Sequence, residues 1–167
     1  VNILAIDLYD GVVAATREDA AKYMQSVNQE RALSIVSGAI DFAGKDAKIG
    51  TIGWCFGGGW SLQASIMLGK QGSACVMYYG IIENTPETFK QLNAPVLGIF
   101  AEKDEWVNPE VYGNLEKNLK SDGKKIIIKS FDADHAFANP SNTKFDEKAT
   151  TEAKKLTIEF FKDYLLK

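Results

Sequence analysis

At 167 residues and 46% hydrophobic, the chain has the length and apolar content for one domain, 1–167, with a continuous core. A net charge of -3 with only two arginines, Arg17 and Arg31, gives no basic field for a phosphate backbone, so nucleic acid is not an expected partner. No run approaches the roughly 20 apolar residues that span a bilayer, and one histidine with two separated cysteines, Cys55 and Cys75, offers neither a metal cluster nor a disulfide framework.

In chain order, short Val- and Ile-rich runs alternate with segments of helical period, the pattern of a mostly parallel sheet flanked by helices. Val1 to Ile6 reads as the first strand. Thr16 with Asp19 caps a helix running toward Asn28, and Gln29 to Ala43 carries Leu33, Val36 and Ile40 on one face before Gly44 ends it. Ile49 to Trp54 is the next strand, followed by a helix over Gly57 to Leu68. Strands are then expected at Ala74 to Tyr79, Val96 to Ala101 and Lys125 to Phe131. Further helices are expected at Pro109 to Lys120, with proline in the first turn, and Glu147 to Leu166, with Leu156, Phe160 and Tyr164 in phase. The longest aperiodic stretch, Asp132 to Asn142, reads as a functional loop.

Gly53-Trp54-Cys55-Phe56-Gly57 has the form G-x-nucleophile-x-G, after a strand and before a helix as that sharp turn requires. Glycine on both flanks is expected to clear space around a strained nucleophile, with Gly58 and Gly59 extending the clearance. At a helix N-terminus the Cys55 sulfur is favoured as thiolate, and the Phe56 amide is a candidate oxyanion donor. The alternative is that Cys55 is only a small buried hydrophobe; that description fits Cys75, inside an apolar strand, better. Asp104 follows a strand end, although Glu102 and Glu105 compete for its role, and His135 stands in the loop after Lys125 to Phe131. Cys55, Asp104 and His135 thus come after three strands in the order nucleophile, acid, histidine, the chain order of α/β-hydrolases. In that arrangement His135 takes the thiol proton and Asp104 fixes the imidazole tautomer, for acyl transfer to water.

With these residues in place the chain resembles the dienelactone hydrolase family, the carboxymethylenebutenolidases, which are α/β-hydrolases with a cysteine nucleophile. The resemblance rests on Asp7-Leu8-Tyr9, Gly53 through Gly58, Tyr78-Tyr79-Gly80, Gly98 through Asp104 and His135-Ala136-Phe137. It implies a small lactone or ester substrate and no cofactor or metal, with Tyr9, Trp54, Tyr79 and Phe137 as substrate contacts. Two departures follow from the same comparison. Where the family's dienelactone-binding enzyme places arginines, this chain has Gly11 and Asn139. A family segment before Asp-Leu-Tyr, carrying earlier strands, a glutamate and a second oxyanion donor, has no counterpart. The chain is therefore expected to be N-terminally incomplete, with a complementing N-terminal segment or a second copy filling a slot between Val1 to Ile6 and Ile49 to Trp54. A general carboxylesterase or thioesterase, and a non-catalytic small-molecule binder on the same fold, are the competing functions. A reduced catalytic thiol points to the cytoplasm.

Overall fold

The computed structural model describes residues 1–81 and 86–167. These fall into two compact units, Val1–Ala47 and Lys48–Lys167. In the first, α1 (Arg17–Gln25) starts where the Thr16 hydroxyl accepts the Asp19 N–H at 3.0 Å. Its partner α2 (Gln29–Ala43) starts where the Asn28 side chain accepts the Arg31 N–H at 2.9 Å. Ahead of them the Asp7 carboxylate closes a turn by accepting the N–H groups of Tyr9, at 2.7 Å, and Gly11, at 2.5 Å.

The expected strand at Val1 to Ile6 is not formed. Alternating apolar residues make a strand only when a neighbour takes their N–H and C=O groups, and no strand among the described residues pairs with this one. Its side chains are exposed throughout.

The second unit holds the sheet. Strands β1 (Ile49–Trp54), β2 (Gly72–Tyr78), β3 (Val96–Ala101) and β4 (Ile126–Phe131) pair in the order 1-2-3-4, all parallel. Around them lie α3 (Phe56–Leu68), α4 (Pro86–Phe89), α5 (Pro109–Ser121) and α6 (Glu147–Leu165). Both α4 and the 3₁₀ turn Gly69–Gln71 go beyond the sequence reading, being too short to show a period.

Side-chain alternation along the central strands sorts the core into two layers. Cys75, Met77, Val96 and Phe100 face Leu62 and Ile66 of α3 and Leu115 and Leu119 of α5. Ala74, Val76, Tyr78, Leu97 and Ile99 face Ala149, Ala153 and Phe160 of α6. A buried hydrogen bond at 2.8 Å between the hydroxyls of Tyr78 and Thr157 ties α6 to β2. With both faces covered, β3 is apolar and buried throughout and β2 is buried from Ala74 to Tyr78, which is why they read clearly as strands. β1 pairs with β2 on one side, and no described strand pairs with its other side. Among the described residues, no helix is long and apolar enough to cross a membrane.

Candidate active site

Three loops at the carboxyl ends of β1, β3 and β4 carry the candidate residues Cys55, Asp104 and His135, as expected where parallel strands end in loops free of sheet hydrogen bonding. The first is the turn from β1 into α3. Cys55 sits there with φ 52° and ψ -120°, a left-handed conformation rarely adopted by a residue with a side chain. Its N–H donates to the Tyr78 carbonyl at 3.0 Å and its own carbonyl accepts the Gly58 N–H at 2.9 Å, so the turn is held from both sides.

Three glycines make this turn possible, among them Gly58, where a Cβ would lie 2.6 Å from the Tyr78 carbonyl oxygen. A Cβ at Gly53 would lie 1.9 Å from the Gly57 carbonyl oxygen, and one at Gly80 would lie 2.5 Å from the Cys55 carbonyl oxygen. Gly80 is thus the reason for a glycine after Tyr78-Tyr79: the end of β2 passes against the turn. Gly57 corrects the expectation of two-sided clearance, since a Cβ there would meet nothing within 4 Å.

Asp104 and His135 converge on Cys55. His135 Nε2 lies 3.2 Å from Cys55 Sγ, and Nδ1 lies 2.5 Å from Asp104 Oδ2. The remaining oxygen, Asp104 Oδ1, accepts the N–H groups of Trp106 (2.9 Å) and Val107 (3.0 Å). The Asp104 side chain is fully buried. Its acidic neighbours do other things: the Glu102 carboxylate accepts the Ser130 hydroxyl at 2.7 Å, and Glu105 is exposed.

The hydrogen bond with His135 lowers the Cys55 thiol from its ordinary value, outweighing burial, with a smaller contribution from the Phe56 N–H. Burial pushes the His135 imidazole down, but its hydrogen bonds with Cys55 and Asp104 outweigh that and raise it. The two shifts favour a thiolate beside an imidazolium. Cys75, by contrast, is buried in the core beside Ser61, and burial raises its thiol. Both cysteines are free.

The expected substrate contacts divide. Trp54 is exposed immediately before Cys55, its ring tilted on Tyr78 at 5.3 Å. Tyr79 and Phe137 are buried: Tyr79 packs 5.0 Å from the His135 ring, and Phe137 packs behind Tyr79 at 5.5 Å. As placed they hold the imidazole from behind and present no surface to a ligand. Burial also drives the Tyr79 hydroxyl well above its ordinary value, keeping it protonated. Tyr9 belongs to the turn in the first unit. Asn139 turns inward on its own loop, its side chain accepting the Ser141 N–H at 3.0 Å.

One residue next to the triad escaped the sequence reading. Trp106 lies edge-on to His135, with ring centroids 5.1 Å apart and planes at 83°. An aromatic residue in a charged loop, two positions after a candidate acid, was the available signal.

A parallel sheet covered by helices, with a strained strand-to-helix turn at its carboxyl end, defines the fold of an α/β-hydrolase. Solved structures agree: a putative dienelactone hydrolase from Klebsiella pneumoniae superposes with a TM-score of 0.75 at 20% identity, covering 91% of this chain and 69% of that one. The chain belongs to the dienelactone hydrolase family, whose model matches residues 2–165. Among its relatives, Protein usf of Aquifex pyrophilus is 29% identical, over 96% of this chain and 74% of its own length. Carboxymethylenebutenolidase 1 of Cupriavidus pinatubonensis is 25% identical, over 90% of this chain and 65% of its own. The chain is a hydrolase of this family.

Proposed function

We propose that the protein hydrolyses a small carboxylic ester or lactone through a thioester intermediate on Cys55. The observation that carries this is the unbroken line Cys55 Sγ, His135, Asp104, at 3.2 and 2.5 Å, set on a strained turn at the N-terminus of α3. His135 Nε2 receives the thiol proton and Sγ attacks the carbonyl carbon. The Phe56 N–H, already directed at the sulfur, bonds the oxyanion that forms. As the tetrahedral intermediate collapses, the imidazolium protonates the departing alkoxide oxygen and leaves a thioester. A water molecule, deprotonated by His135, then attacks the thioester carbon and releases the acid with the thiol restored. Asp104 stays ionised and holds Nδ1–H in place throughout.

The name of the Cupriavidus relative suggests a dienelactone as substrate. A second reading, a general carboxylesterase or thioesterase, is favoured by Asn139, which caps its own loop and supplies no cation for a substrate carboxylate. Two free thiols, one of them catalytic, suit a reducing, cytoplasmic setting, and we extend the proposal to that location.

The test is a hydrolysis screen of p-nitrophenyl esters, thioesters and five-membered lactones. Cys55→Ala should abolish turnover, and Asp104→Asn should lower kcat by roughly 10³- to 10⁴-fold through the wrong imidazole tautomer. Hydrolysis that survives Cys55→Ala would overturn the proposal. Hydrolysis of neutral esters without lactones would select the second reading.

A further inference from the structure

Trp106 combines two properties that core packing does not explain. Its side chain is among the most exposed aromatics of the second unit, with the residue 72% accessible, yet its backbone and ring are both fixed against the triad. Asp104 Oδ1 accepts the Trp106 N–H at 2.9 Å and the Val107 N–H at 3.0 Å, and buried Val107 anchors the loop in the core. The same carboxylate, through Oδ2, holds His135 Nδ1. One side chain therefore positions both the imidazole and the indole that lies against it.

Two aromatic rings pack against the imidazole. Tyr79, buried, lies 5.0 Å away, and Trp106, facing solvent, lies 5.1 Å away. The His135 side chain keeps only 16% of its surface, although it stands in a surface loop. A hydrogen bond in a site so little exposed is stronger than one in contact with water, which lowers the local field and offers competing partners.

We propose that Trp106 is a positioning residue that shields the Asp104–His135 hydrogen bond from water. It acts through His135 and not on the substrate, and the inference rests on the catalytic reading of the triad given above. Loss of the indole opens the imidazole edge to solvent, so that the Nδ1 proton exchanges and the ring samples orientations in which Nε2 no longer meets the sulfur.

The protein has one histidine, so histidine labelled with ¹⁵N reports this imidazole alone. The Nδ1–H resonance should be seen in the unaltered protein and in Trp106→Phe, which retains a ring at the edge. It should broaden by exchange with water in Trp106→Ala and in Trp106→Leu, the latter keeping apolar bulk. In parallel, kcat for p-nitrophenyl acetate should fall on the order of tenfold in Trp106→Ala and recover in Trp106→Phe, with KM little changed. A resonance that persists in both the Ala and Leu variants overturns the proposal. So does a change confined to KM, which would make Trp106 a wall of the substrate site. If the resonance is present and Cys55→Ala is inactive while Trp106→Ala changes neither exchange nor kcat, only the shield fails. If the unaltered protein lacks the resonance and Cys55→Ala still hydrolyses ester, the triad reading fails and the shield with it.

Discussion

Replacing Gly53 and Gly57 separately by alanine tests whether the turn at Cys55 is built by steric closeness or by a motif's appearance. In Gly53→Ala the new Cβ would sit 1.9 Å from the Gly57 carbonyl oxygen, 2.3 Å from its carbon and 2.9 Å from the Gly58 nitrogen. All three are backbone atoms at the start of α3, so no side chain can swing away. Restoring a tolerable contact needs an opening of about 1 Å or more between β1 and α3. Overpacking of this kind costs about 1 to 3 kcal/mol. The opening would also displace Cys55, whose sulfur has only one hydrogen-bond length, 3.2 Å, to His135. A misplacement of about 1 Å lowers turnover on the order of 10²-fold. In Gly57→Ala the Cβ meets nothing within 4 Å, and alanine in a first helical turn gains roughly 0.5 to 1 kcal/mol over glycine. Urea unfolding midpoints and kcat/KM on p-nitrophenyl acetate for the two variants provide the measurement. Steric closeness is refuted as the basis of the turn if Gly53→Ala keeps both properties, or if Gly57→Ala is damaged as badly as Gly53→Ala.

Two other expectations follow from the site and the core. Iodoacetamide at about pH 6 should label Cys55 well ahead of Cys75, because the hydrogen bond with His135 lowers the first thiol while burial raises the second. In His135→Gln the half-point of Cys55 alkylation should move to higher pH, since the largest cause lowering it is gone; equal labelling of the two thiols, read by mass spectrometry, would count against an activated Cys55. Tyr78→Phe removes the buried bond to Thr157 and should lower stability by about 1 to 2 kcal/mol, seen as a lower urea midpoint at unchanged slope. An unmoved midpoint would mean that the two hydroxyls gain nothing from each other.

The fold was legible wherever a strand's identity is set by its own burial. β3 falls on the residues read from sequence because an apolar run bounded by polar loops has no other way to hide its side chains; β1 also falls on the residues read, although Gly53 alone of its six is buried and Ile52 and Trp54 are exposed. β2 starts earlier than read, at Gly72, and stops at Tyr78, because Tyr79 turns out of the strand with φ 34° to face the imidazole. Val1 to Ile6 has the same kind of composition but no ladder partner among the described residues, and pairing is not a local property.

The choice among Glu102, Asp104 and Glu105 shows where spacing alone stops and what else the sequence held. All three lie within reach of a strand end, and chain order cannot separate them. What separates them is side-chain length. An aspartate can fold back onto the N–H groups two and three residues ahead, and Asp104 does so with Trp106 and Val107, closing a small ring that buries one oxygen and aims the other at His135. A glutamate carries one more methylene, and its carboxylate overshoots that ring. Glu102 instead reaches across to Ser130 on β4, and Glu105 stays in solvent. The loop thus needs an aspartate at the position where its backbone turns, followed by a residue that enters the core, here Val107. Asp104-Glu105-Trp106-Val107 meets both conditions, and the same turn sets the Trp106 ring against the imidazole. The acid and its aromatic neighbour are therefore products of one local structure. That is why the charge pattern, which treats the loop as a solvated patch, conceals the second of them.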